Sequence, residues 1–310
     1  MITMAVSWKF RIAFGCALAM ACLRANAADL CTFSGEDAKA SPAALRIAQV
    51  ACDEHALWRR PFINAQGRIV RVASMEAERE TLADGHTLAW RRVVHYWTAS
   101  GLLDDNVRWE KRQIELGGDS KRNGASDCAG EARAWAEKAS CRAFLVDVPW
   151  SATFVSYVMK TAGIEDFTLS SSHFYYIRDA ARRPVDGPYR LVDPAAEKPA
   201  VGDLLCYLRE KRRVYGYQGL VDYLGGTARP LDSHCDIVVG VDIDGDSKLY
   251  AIGGNVVQGV TMRKLSLNAR GVLSLPMKQD GDDAAMFEIG DEKHYSVNRQ
   301  DWAALLKLNR

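Results

Sequence analysis

Between Val148 and Gly163 the chain reads VPWSATFVSYVMKTAG, and Ala152, Val155, Val158, Met159 and Ala162 recur at helical spacing before Gly163 offers a natural stop. Phe144–Val148, ahead of Pro149, reads as a short extended lead-in. The same periodicity predicts a helix over Pro42–Trp58, where Ala44, Ile47, Ala51, His55 and Trp58 form a stripe that Pro61 ends. A third helix is expected over Gly85–Ser100, capped by Asp84 and closed by Gly101, with Leu88, Ala89, Val93, Tyr96 and Trp97 facing inward. His86 and His95 fall off that stripe and are expected in solvent. Shorter helices are predicted at Gly130–Ser140, from His173 through FYYIRDAAR to Pro184, and at Arg299–Leu308.

The second half changes period. Gly202-Asp203 introduces a strand at Leu204–Leu208, and three more follow at His234–Asp242, Ser247–Gly253 and Gln258–Leu265. A short extended piece is expected earlier, at Gly67–Ala73. The turn DIDGD (242–246) makes the first hairpin and Gly253-Gly254-Asn255 breaks the second. That aspartate-rich turn lacks the length and the later bidentate glutamate of a calcium loop, so it reads as a plain turn. Val214–Gly226 reads as a surface excursion, and the charged, glycine-rich stretch between Asp104 and Cys128 as a loop. Helices first and an antiparallel meander afterwards is an α+β pattern.

Composition narrows the setting. Lys9 and Arg11 precede the apolar run Ile12–Cys22, and Ala25-Asn26-Ala27 has the small-x-small form of a cleavage site, so residues 1–27 read as a secretory signal peptide. Residues 28–83 then form a leader and an N-terminal helix, and 84–310 the main domain. Removing Lys9, Arg11 and Arg24 takes the formal net charge from +1 to −2. No basic stretch interleaves with aromatics, so nucleic acid is not an expected partner. No second long apolar segment suggests a membrane span. The mature chain is expected in the periplasm or secreted, as a monomer.

Six cysteines remain, an even number that in an exported chain favours disulfides over metal. Cys206 and Cys235 lie in strand-like segments flanking one loop and form the preferred pair. Cys128 and Cys141 are expected apart, because a helix over 129–139 at about 1.5 Å rise per residue would hold them beyond bridging distance. No CxxC or HxxxH spacing occurs, so neither a metal nor a cofactor is expected.

Candidate chemistry centres on Ser151. It falls in the first turn of a helix, where free N–H groups and the positive end of the dipole converge, and those donors would stabilise an oxyanion. Ser is also a common N-cap, which is the plain structural reading. A serine nucleophile needs a base, and His234, at the start of a strand, is the candidate; a buried, satisfied histidine is the alternative. Asn255, on the next strand, or Asp236, two residues along the same face, could orient the ring. His173 is either a second cleft histidine or a first-turn residue beside its Ser172 cap, and Trp150 adjoins the nucleophile.

The segments AWRRVVHYW (89–97), VPWSATFVSYVMKTAG (148–163), SSHFYYIRDAA (171–181), VGDLLCY (201–207), SHCDIVVGV (233–241) and IGGNV (252–256) together resemble the domain of unknown function 2272. That family is usually placed beside the papain-like bacterial cell-wall hydrolases of CHAP and NlpC type. The resemblance spans most of 85–260. It implies a papain-like α+β core acting on peptidoglycan peptide amides, with Ser151 at the nucleophile position, His234 at the base, Asn255 at the orienting polar position and the Gly202-Asp203 turn as a structural motif. The superfamily nucleophile is cysteine, and here a serine occupies its place. A thiolate forms readily beside a histidine at a helix N-terminus, whereas an alkoxide does not.

Two readings follow: an exported amidase or endopeptidase cutting cell-wall peptide, or an inactive module that binds muropeptide fragments or a partner in the same cleft. A serine esterase of another substrate class is a third. Peptidoglycan peptide is the expected partner in the first two.

Overall fold

A computed structural model describes residues 31, 40–103, 114–115, 121–130, 132–211, 213–226, 229–275, 278, 290 and 295–309. The expected signal peptide and most of the leader lie outside the described residues. Among the described residues helices α1 (Pro42–Leu57), α2 (Ala89–Ser100), α3 (Ala125–Ala129), α4 (Trp135–Asp147), α5 (Ser151–Thr161), α6 (His173–Arg182) and α7 (Gly216–Leu224) accompany ten strands. These are β1 (Phe62–Ile63), β2 (Ile69–Arg71), β3 (Ile114–Glu115), β4 (Leu169–Ser170), β5 (Tyr189–Val192), β6 (Leu204–Leu208), β7 (Ser233–Val241), β8 (Lys248–Val256), β9 (Gly259–Ser266) and β10 (Asp301–Leu308). The fold is α+β.

Eight strands form one sheet in the order β2-β1-β9-β8-β7-β6-β10-β5, antiparallel throughout except for the β1–β9 pair. Alternation along β7 sends Cys235, Ile237 and Val239 into the large core under the helices, while Val238 joins Leu205, Leu249, Ala251, Trp302 and Leu305 on the opposite face. Helix α5 packs against β7 and β8, and α1 reaches across β7 and β9. Because β1 and β2 extend the sheet and α1 covers it, residues 42–71 are built into the same body as the later strands.

Several elements differ from expectation for identifiable reasons. The expected helix Arg299–Leu308 is strand β10, inserted between β6 and β5. Buried on both faces, it has the continuous apolar run that a central strand shares with a short helix. Helix α4 continues through Phe144–Asp147, which had read as an extended lead-in. The expected helix Gly130–Ser140 is broken: α3 ends at Ala129, the chain reverses with Ala132 at φ 43°, and α4 begins at Trp135. That reversal brings Cys128 and Cys141 to a Cα separation of 4.8 Å, and they form a disulfide, contrary to the argument from a single straight helix. Cys31–Cys52 and the expected Cys206–Cys235 are also bonded, the latter directly across the β6–β7 register.

Asp84 does not cap α2. Its carboxylate accepts from the His86 and Thr87 N–H groups in a local turn, and the helix starts five residues on. Val214–Gly226 contains α7, whose start is held by Asp301 accepting from the Tyr215 and Gly216 N–H groups. Strand β8 runs through Gly253-Gly254-Asn255 to Val256, so the turn into β9 lies at Val257-Gln258. Among the described residues no helix is long and apolar enough to cross a membrane.

Candidate active site

Ser151 opens α5 and is buried, 6% exposed. The N–H groups of the first helical turn have no acceptor within the helix, so they converge beside its side chain with the positive end of the dipole. Its Oγ lies 2.8 Å from Nε2 of His173, the first residue of α6. Two contacts dock α6 against α5. The Tyr176 hydroxyl donates to the Ala152 carbonyl at 2.5 Å, and the Ser156 hydroxyl donates to the Ser170 carbonyl at 2.9 Å just ahead of α6. One turn of α6 therefore sets His173 over Ser151 and Tyr176 over the next residue.

His173 is fully enclosed, and its Nδ1 has no hydrogen-bond partner among the described residues. Burial first, then the neighbouring His234 and Arg209, hold its pKa well below the ordinary histidine value, so the ring is neutral at pH 7. A neutral ring can accept the Ser151 proton at Nε2 only as the Nδ1–H tautomer, which leaves that N–H unpaired.

His234 stands beside this pair. Its ring centroid is 5.1 Å from that of His173, and it also lies against the Tyr207 ring, tilted by 32° with centroids 5.1 Å apart. No hydrogen bond joins it to Ser151. Instead His234 Nε2 lies 2.7 Å from Asp236 Oδ1, and Arg263 Nε donates to Asp236 Oδ2 at 3.1 Å. Arg263 in turn donates to the Asn298 side chain and the Val297 carbonyl. Burial alone would raise the Asp236 pKa, but His234 and Arg263 outweigh it and hold the carboxyl below its usual value. Gly253 makes room for this cluster: a Cβ there would fall 1.9 Å from Asp236 Oδ1 and 2.9 Å from His234 Nε2. A Cβ at Gly254 would fall 2.4 Å from Phe154 Cβ, so the second glycine lets α5 approach β8.

Asn255 is placed differently from its expected role behind the histidine. With φ at 55° it occupies the left-handed region that asparagine tolerates. Its amide donates to Glu76 Oε2 at 2.9 Å and accepts from the Trp150 backbone N–H at 3.2 Å. Trp150 is fully buried, and its indole Nε1 donates to the same Glu76 oxygen at 2.9 Å. Thus Trp150 and Asn255 are bonded together at the turn that opens α5, while neither residue bonds to a histidine ring. Burial pushes the Glu76 carboxyl up, with the Trp150 bond pulling it partly back.

Of the residues singled out in the sequence, the structure thus brings Ser151 to His173 and His234 to Asp236, with the two histidine rings in contact between them. Glu76 and Arg263 were not foreseen. Neither sits in a motif, and only the fold carries them to the site from 75 and 112 positions away from Ser151. Among the described residues no group of three or more His, Cys, Asp or Glu side chains is arranged to hold a metal ion.

Residues 84–308 match a family model described as an uncharacterized protein conserved in bacteria (DUF2272). The chain belongs to this family. No curated protein and no solved structure matches it. The DUF2272 match begins just beyond α1, β1, β2 and Glu76, which the structure nevertheless joins to the sheet and to Trp150.

Proposed function

We propose that this DUF2272 protein is an exported hydrolase of amide bonds in peptidoglycan peptide, built on a papain-like arrangement with serine in the nucleophile position. The observation that carries the reading is the 2.8 Å contact between Ser151 Oγ, at the start of α5, and His173 Nε2. His173 thereby takes the part of general base that sequence reasoning gave to His234. In the proposed reaction His173 Nε2 takes the Ser151 proton as Oγ attacks the amide carbonyl carbon. First-turn N–H groups of α5 stabilise the resulting oxyanion. The imidazolium then returns the proton to the leaving amine, and water releases the acyl group by the same steps in reverse order of roles. His234, held by Asp236 and Arg263, lines the site beside the base.

A second reading has support from one observation: His173 is a weak base. Its pKa is depressed, and among the described residues its Nδ1 has no carboxylate to stabilise an imidazolium. On that reading the cleft binds muropeptide without turnover. Digestion of purified muropeptides by the wild type, Ser151→Ala and His173→Ala decides between them. New amine termini from the wild type alone support the hydrolase. Muropeptide binding by all three proteins without any cleavage supports the binding module.

A further inference from the structure

We infer that Glu76 and Asn255 are positioning residues for Ser151, acting through Trp150, so that the working unit of the protein includes a segment upstream of the DUF2272 match. The inference rests on the hydrolase reading for its consequence, and on the hydrogen bonds alone for its geometry.

Trp150 is the residue on which the start of α5 turns. Its carbonyl accepts the Phe154 N–H, the first bond of the helix, and its own N–H points away from the helix and needs an acceptor elsewhere. Asn255 supplies that acceptor. The amide of Asn255 can present its oxygen to Trp150 only because its nitrogen is engaged by Glu76, so Glu76 fixes which way the amide faces. The same Glu76 oxygen takes the Trp150 indole N–H. One carboxylate oxygen therefore governs both the backbone and the side chain of the residue before the nucleophile.

The anchor points are themselves held. The Glu76 N–H donates to the Gln258 carbonyl at 2.8 Å, tying the 74–76 segment to the β8–β9 turn. The Trp150 ring is packed between Trp58, with centroids 5.8 Å apart, and Tyr96, at 5.7 Å. None of these groups hydrogen-bonds to Ser151 Oγ. Their effect is on where α5 begins, and hence on the 2.8 Å Ser151–His173 contact. Displacing a reacting group by about 1 Å costs on the order of a hundredfold in rate.

The test compares Glu76→Ala, Glu76→Gln and Asn255→Gly in the full mature chain. Glutamine can place its carbonyl oxygen where both donors converge, so Glu76→Gln should restore what Glu76→Ala loses. Glycine keeps the left-handed backbone of residue 255 while removing its amide. Two readouts are used well below the melting temperature of each variant. The first is the ¹⁵N shift of His173 Nε2, which reports its bond to Ser151 without requiring activity. The second is the rate constant for labelling Ser151 with a biotinylated alkyl fluorophosphonate, with the kcat and KM of muropeptide cleavage alongside.

The expected result is a changed Nε2 shift in Glu76→Ala and Asn255→Gly. Labelling and kcat should fall by roughly ten- to a hundredfold with KM little altered, and Glu76→Gln should stay within about threefold of wild type. Folded Glu76→Ala and Asn255→Gly proteins with an unchanged His173 shift would overturn the inference, as would equal losses in Glu76→Gln and Glu76→Ala. If Glu76→Ala does not fold, Asn255→Gly decides against the wild type. A wild-type Ser151 that neither labels nor turns over defeats the hydrolase reading instead, and the His173 shift still decides the clamp.

Discussion

Glu54, near the end of α1, is the acceptor on which three elements meet, and replacing it should be among the most damaging single changes outside the site. Its carboxylate is 5% exposed and receives both Arg92 Nε, at 3.0 Å, and Arg92 Nη2 from α2. Tyr96 of α2 donates to it at 2.5 Å and Tyr157 of α5 at 3.2 Å, while the Trp58 indole donates to the Tyr96 hydroxyl at 2.8 Å. Burial would lower the Arg92 pKa, but Glu54 outweighs it and drives the guanidinium further toward the charged form. Glu54→Ala leaves a cation that is only 22% exposed without its counter-ion, together with two buried hydroxyls short of an acceptor. Breaking a buried ion pair on one side costs about 3–5 kcal/mol, which for a chain of this size is a fall in Tm on the order of 10 °C. Guanidinium unfolding with disulfides intact should show the loss at an unchanged m-value. Removing both charges, in Glu54→Met with Arg92→Met, should recover part of it, because no unpaired ion then remains. A loss under about 1 kcal/mol in Glu54→Ala, or a double variant no better than the single one, would refute this reasoning.

The remaining predictions concern acid stability, the cysteines and the nucleophile. His55 is buried with its pKa lowered from 6.5 to about 4, chiefly by burial and only partly offset by its bond to the Pro61 carbonyl. Because the folded value is depressed, the unfolded chain takes up the proton first as pH falls. Stability should therefore drop by up to roughly 3 kcal/mol between pH 6.5 and 4, and urea unfolding of His55→Gln should lack that component of the slope. Removing the Cys128–Cys141 disulfide as a double serine variant opens a loop with a sequence separation of 13 and should cost about 3 kcal/mol in chemical unfolding; no change would mean the α3–α4 packing alone holds that corner. On the proposed hydrolase reading, Ser151→Ala should abolish muropeptide cleavage while Ser151→Cys keeps or raises it, and equal activity in wild type and Ser151→Ala would show that the serine only starts a helix.

Much of the scaffold was legible because it is local. The stripes of α1 and α5 and the antiparallel run β7–β8–β9 follow from periods of 3.6 and 2, and Cys206 and Cys235 fall in segments that pair directly. What failed was settled by the surroundings of a segment. DWAALLKL has apolar residues at helical spacing, yet it is a central strand buried on both faces, where a continuous apolar run shows no strand alternation. Gly253-Gly254 signals a break in isolation, whereas in the sheet each glycine admits a neighbour: the His234–Asp236 pair on one side and Phe154 on the other. The choice of His173 as the partner of Ser151 depends on the docking of α6 by Tyr176, which no spacing in the sequence encodes.

The two histidines divide between them what one catalytic histidine ordinarily combines. Among the described residues His173 has the contact with the hydroxyl but no carboxylate behind it, and His234 has the carboxylate but not the hydroxyl. A base must be neutral before it acts and stabilised once it is charged. Burial secures the first condition for His173 and works against the second, since every imidazolium formed there faces His234 and Arg209. On the proposed hydrolase reading that second condition is the weak point of the site, because the buried Nδ1 has no partner among the described residues. The Ser151–His173 contact is thus the decisive element of the site, and the bonds that fix the start of α5 and the docking of α6 matter because they hold it.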